Sequence, residues 1–168
     1  MFHGCLLSGF WIGFAATGFF GGGCQTPSTQ VISSSTQQGF TIRRVNILGL
    51  TDFSVSPQEP EKSRIKTFVE LLDDYHSPLK KLCVFRFEFY EYTPLTANPR
   101  GKRLMIWPDI DLTDPDKNNQ HWKDYLRSYE FYLPLDFSPQ PGQIYLLEVT
   151  CMTGGQRFGG ILKIRYQP

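Results

Sequence analysis

Residues 82–92 read LCVFRFEFYEY. Cys83, Phe85, Phe87 and Phe89 fall on one side of a period-2 ribbon, and Val84, Arg86, Glu88 and Tyr90 fall on the other. Alternation of this kind predicts a strand with one dry face and one wet face. Each phenylalanine contributes about 2–3 kcal/mol when fully buried, so three on one face require an apolar layer opposite. The stretch therefore predicts the central strand of a sandwich.

The segments on either side repeat the theme. Phe40 to Leu50 reads as a strand with Val45 and Ile47 in the core, and Thr51 to Arg64, with Pro57 and Pro60, as an exposed loop. Arg64 to Asp73 fits a strand with Ile65, Val69 and Leu71 inward, although Val69 to Asp73 also suits a helical turn. Arg103 to Leu112 reads as one edge strand, because Pro108 has no N–H for a central ladder. Asp114-Pro115 marks a helix entry, with Asp114 as N-cap, and Trp122, Tyr125 and Leu126 extend the predicted helix over Asp116 to Arg127. Tyr129 to Phe137 alternates with Tyr129, Phe131, Leu133 and Leu135 inward. Gln143 to Thr150 places Tyr145, Leu147, Val149 and Cys151 on one side, and Gly154-Gly155 turns the chain into a last strand carrying Leu162, Ile164 and Tyr166. About seven strands, proline-rich turns and one short helix predict an all-β, antiparallel β-sandwich over residues 40–168.

The chain has 17 Lys and Arg against 16 Asp and Glu, so no basic field favours nucleic acid. The charges are unevenly spread: none of these residues precedes Arg43. Cys5 to Phe20 is apolar, and Gly21-Gly22-Gly23-Cys24-Gln25 follows, then a Ser/Thr/Gln run to Gln38. An apolar segment closing in small residues has the pattern of a secretory signal. Phe19 to Gln25 resembles the lipobox of bacterial lipoproteins, and that resemblance implies a signal peptide over residues 1–23 and lipidation at Cys24. A cleaved leader without lipid and an uncleaved anchor are the alternatives, and all three place the domain outside the cytoplasm. Residues 24–39 are then expected to be a flexible polar linker. The run PQPGQIYLLEVTC, with the Gly-Gly turn and final strand, resembles the closing hairpin of transthyretin-like and immunoglobulin-like extracellular modules. The whole chain is thus similar to uncharacterised bacterial cell-envelope lipoproteins with a single β-sandwich domain, a group that brings no catalytic residues with it.

Chemistry-bearing clusters are few. Asp109, Asp111, Asp114, Asp116 and Asn118 offer oxygen ligands for a hard cation, but the glycine and closing glutamate of an EF-hand loop are missing, and Asp114 already caps a helix. His3, His76 and His121 stand apart from any metal-ligand spacing. No Gly-x-Ser-x-Gly elbow or phosphate loop occurs. No catalytic residue, metal ligand or cofactor is therefore assigned. Cys83 and Cys151, the thiols left after processing at Cys24, are a candidate disulfide or two small buried hydrophobes. Tyr90, Tyr92, Trp107, Trp122 and Tyr132 are candidates for an exposed aromatic face, or else core and edge filling.

These readings lead to the expectation of a non-catalytic, lipid-anchored envelope protein with a structural or protein-interaction role. It would meet the membrane through its N-terminal lipid and work with an envelope protein partner. A glycan- or peptidoglycan-binding module is the alternative, and a small hydrolase the third.

Overall fold

The structure, a computed structural model, describes residues 41–55 and 63–167. The leader, Cys24, the linker, Phe40, Pro57 and Pro60 lie outside the described residues. The chain runs β1 Arg44–Ile47, β2 Asp52–Val55, β3 Ser63–Leu72, β4 Pro78–Leu79, β5 Cys83–Tyr92, β6 Arg100–Ile106, β7 Ile110–Leu112, α1 Pro115–His121, β8 Trp122–Lys123, β9 Ser128–Pro134, β10 Ile144–Thr153 and β11 Gln156–Arg165.

Two antiparallel sheets form a β-sandwich. The first has the order β1-β3-β9-β8, with β2 and β4 also paired to β3. The second has the order β11-β10-β5-β6, with β7 also paired to β5. The LCVFRFEFYEY strand is β5, and it lies inside the second sheet between β10 and β6. Its inward residues Cys83, Phe85, Phe87 and Phe89 are fully buried. Phe85 and Phe87 meet Phe131 of β9 at ring separations of 5.0 and 4.9 Å, and Phe85 meets Tyr129 at 5.2 Å. These tilted and edge-on contacts across the two sheets are the centre of the core.

Three expectations are revised and one open reading is resolved. The region read as an exposed loop, Thr51 to Arg64, contains β2, which pairs with Ile65 and its neighbours on β3 and carries Phe53 against Phe89, Tyr145 and Tyr166. Of the two readings of Arg64 to Asp73, the strand holds as far as Leu72, since Val69 and Leu71 pair with β1 and a helical turn there would break that ladder. The single edge strand over Arg103 to Leu112 is two strands, β6 and β7, because Pro108 has no N–H and interrupts the ladder after Trp107, whose N–H still donates to the Phe87 carbonyl. The helix stops at His121: Trp122 is already extended and pairs with Tyr129, stacking edge-on against its ring at 5.1 Å. Tyr125, expected on a helical face, is exposed instead.

The start of that helix follows the sequence. Asp114 accepts from the backbone N–H groups of Asp116 and Lys117, with Pro115 in the first turn. Asn118, nearly fully buried, donates to the carbonyls of Lys81 and Leu112. The Tyr129 hydroxyl donates to the Lys81 carbonyl at 2.8 Å and lies 3.3 Å from Asn118 Oδ1. Burial pushes the Tyr129 hydroxyl up to about 12, so it stays a donor throughout the neutral range.

Candidate interaction surface

The wet face of the second sheet carries three ion pairs, Arg86–Asp109, Arg100–Glu148 and Arg103–Glu88. Register places Glu88 of β5 directly opposite Glu148 of β10, and the same row ends in Ile161 of β11 and Ile106 of β6. Two carboxylates facing each other across a ladder repel. Each is compensated from β6. Arg100 reaches over β5 to hold Glu148 through two 2.7 Å bonds, and Arg103 donates to Glu88 at 3.0 Å. The Tyr90 hydroxyl also donates to Glu88, at 2.7 Å. That hydrogen bond and Arg103 hold the Glu88 carboxyl below its usual range despite partial burial, so it is an anion at neutral pH.

The neighbouring rows continue the pattern. Lys163 of β11, Leu146 of β10, Tyr90 of β5 and Arg103 of β6 lie side by side. Leu146 points outward, with Lys163 and Tyr90 on either side, yet is only 1% exposed. Lys163 donates to the Tyr92 hydroxyl at 2.9 Å and sits 4.2 Å from the centre of that ring. Arg86 forms two 2.8 Å bonds to Asp109, which hold that carboxyl below its usual range. The result is a flat array of arginine, tyrosine and lysine whose polar ends are already paired. Ile106 and Ile161, each nearly half exposed, flank it.

The other residues singled out by sequence fall elsewhere. In the acidic loop, Asp109 is taken by Arg86, Asp111 accepts from the Thr113 hydroxyl and N–H, Asp114 caps α1, and Asn118 is buried in the core. Among the described residues no group of three His, Cys, Asp or Glu is placed to hold a metal ion. The Nδ1 atom of His121 lies 2.9 Å from the Glu130 carbonyl, and its ring packs on Phe131. His76 sits in a turn at φ 59°.

The five aromatic candidates do not form one row. Trp107 is buried and donates to the Pro134 carbonyl at 2.7 Å, so it belongs to the core and not to an exposed face. Trp122 is half-buried on Tyr129. Tyr132 projects from the first sheet beneath Arg64, whose guanidinium lies 4.3 Å from the ring centre. Only Tyr90 and Tyr92 share the array.

Cys83 and Cys151 are free, buried thiols on adjacent strands β5 and β10. Cys151 is opposite Phe85, which puts Cys83 on the diagonal of the same inner face. Hydrogen bonding with Cys151 and burial push the Cys83 thiol far up, so Cys83 stays protonated in the folded domain.

Arg100, Arg103, Glu148 and Lys163 went unassigned in sequence. The period-2 pattern puts Glu148 and Lys163 on wet faces, but only cross-strand register brings them beside Arg100 and Tyr92. Comparison with protein-family models, with curated proteins and with solved structures finds no match to this chain.

Proposed function

We propose that this is a non-catalytic, lipid-anchored protein of the cell envelope that acts through protein contacts. The wet face of the second sheet would be its contact surface. The anchor is supported by the leader and its Gly21-Gly22-Gly23-Cys24 run, which would tie Cys24 to a membrane with the domain outside the cytoplasm. The contact role is supported chiefly by one observation. Arg86, Arg100 and Arg103 are each held by a carboxylate on a flat sheet, beside two tyrosines and between exposed Ile106 and Ile161. Arginine and tyrosine are enriched where proteins meet, and side chains already fixed lose little entropy on docking.

The experiment has two arms. Mass spectrometry of the membrane-extracted protein is expected to find an acylated N-terminal Cys24, and an intact Met1 would overturn the anchor. A photo-crosslinking residue at Ile106 is expected to trap an envelope protein that the same residue at exposed Tyr75 does not. Equal or absent trapping at the two positions would overturn the contact surface.

A further inference from the structure

The two edges of the second sheet are finished very differently. At one edge, β6 pairs with β5 through two register shifts, and such irregularity blunts an edge against further pairing. At the other edge, β11 runs ten residues, Gln156–Arg165, in unbroken register with β10 and contains no proline. The remaining peripheral strands of the described residues are short: β1 and β2 have four residues each, β7 three, and β4 and β8 two. Among the described residues the longest regular edge is β11, which β1 packs against at Gly160 and which borders open space beside Leu162–Arg165.

The register also shows which backbone groups that edge presents. Tyr166 N–H donates to the Gln143 carbonyl at 3.0 Å, so that pair is a bonded one, and the ladder continues from Ile144 opposite Arg165. Bonded and non-bonded pairs alternate in an antiparallel ladder. Ile164, Leu162 and Gly160 therefore exchange bonds with β10, whereas Ile161, Lys163 and Arg165 turn their N–H and C=O groups away from it. Among the described residues β11 pairs with β10 alone. Beside Leu162–Arg165 lies an open groove of about 420 Å³, whose far bank is the turn Gly49–Asp52. A groove with an unpaired strand edge as one wall is the geometry in which an extended segment adds to a sheet.

Charge selects the occupant. The outward side chains of β11 include Arg157, Lys163 and Arg165, and the strand carries no acid. Lys163 is tied to a neutral hydroxyl, so its charge is uncompensated by an anion. Among the described residues Asp52 on the far bank is the one carboxylate lining the groove, and it accepts from the Phe53 N–H. A second copy of β11 is a poor fit. Antiparallel self-pairing centred on Ile161 sets Arg157 against Arg165, and pairing centred on Lys163 sets that lysine against itself; like charges directly opposite are destabilising. We propose that the free edge Ile161–Arg165 of β11 receives an extended acidic segment of a partner protein as an added strand. This rests on the protein-contact reading above and names the partner chemistry for it. The segment's backbone pairs with Ile161, Lys163 and Arg165, and its acidic side chains lie over Lys163 and Arg165.

The test uses the full chain in detergent micelles and a fluorescent peptide of alternating Thr and Glu, with its Thr/Lys counterpart as control. Anisotropy is expected to show binding of the Glu peptide at least tenfold tighter than of the Lys peptide, and hydrogen exchange is expected to slow at the amides of Ile161, Lys163 and Arg165. Ile161→Pro removes an N–H that β10 does not use, so the sheet tolerates it while the added strand loses a bond. Binding should fall at least tenfold in that variant, and likewise in Lys163→Glu with Arg165→Glu, which leaves the backbone intact. Absence of saturable binding by about 1 mM, unchanged exchange at those amides, or equal binding by both peptides would overturn the proposal. So would a dimer in sedimentation that Ile161→Pro abolishes, since that assigns the edge to a second copy. If the parent protein crosslinks from Ile106 but the Glu peptide does not bind the parent, the contact surface stands and the strand addition does not.

Discussion

Two adjacent glycines in β11 should respond in opposite ways to the same substitution. A Cβ built on Gly160 lies 2.5 Å from the Val45 carbonyl oxygen and 3.1 Å from its carbon, because β1 of the first sheet passes directly against β11 there. Both contacts are with backbone, which cannot swing aside like the end of a side chain. Val45 is itself 2% exposed and paired with Leu71, so relief requires β1 to move off the second sheet and loosen the packing of Val45 and Ile47. Overpacking of this kind costs about 1–3 kcal/mol, and Gly160→Ala belongs at the upper end. At Gly159 nothing lies closer than the Val149 carbonyl oxygen at 3.8 Å, and the backbone is not in the left-handed region. Gly159→Ala should therefore be neutral or stabilise by about 0.4–1 kcal/mol through the unfolded chain. Urea melts of the two variants should bracket the parent, with unchanged slopes. Coincident melts, or a Gly160→Ala variant as stable as the parent, would refute the closure of the sandwich by β1 on β11.

Phe87→Ala, which empties a fully buried site packed on Phe131, should cost about 3–5 kcal/mol in the same melts, against little for Arg86→Ala on the wet face. Thr67 is fully buried with no partner for its hydroxyl, so Thr67→Val should raise stability by about 1–3 kcal/mol, the cost of an unsatisfied buried group; a loss would mean that the hydroxyl is bonded. Burial pushes the Glu130 carboxyl up, but Lys66, Lys123 and Tyr132 outweigh it and hold the group below its ordinary 4.5. Its contribution is thus complete above about pH 4.5 and lost as pH falls through the depressed value, and Glu130→Gln should flatten that acid limb in a pH series of melts. Thiol titration of the denatured, unreduced domain should find both Cys83 and Cys151 free, and no thiol would instead place a bridge between β5 and β10.

The strands that alternate were legible because burial writes itself into a period of two. Cys83–Tyr92, Ser128–Pro134 and Ile144–Thr153 present inward the residues that the pattern selects. The misreadings have one cause: contacts distant in sequence overrode local signals. Asp52–Val55 sits in a segment rich in proline and charge, yet Phe53 finds Tyr145 and Tyr166 from the far end of the chain. Trp122 looks like the next turn of a helix until Tyr129, on the partner strand, supplies a better surface for its ring. Trp107, beside a proline just past β6, suits either an exposed face or core filling on local sequence; the Pro134 carbonyl and the Phe89 ring draw it inside.

The surface was hidden for a further reason. Arg100 and Glu148 are separated by 48 residues, and the strand between them in space is β5. No local motif encodes that bridge. Its meaning also differs from that of a stabilising contact. Exposed ion pairs contribute about 0–1 kcal/mol each, and here part of that only offsets the repulsion between Glu88 and Glu148. Replacing both glutamates with threonine would remove the repulsion and suit a strand equally well. What the paired charges supply instead is order, since three arginines and two tyrosines are held flat on a rigid sheet beside an open strand edge. Order at a surface does little for folding, but it lowers the entropy lost when another protein docks there. Order of that kind is what the proposed contact surface would draw on.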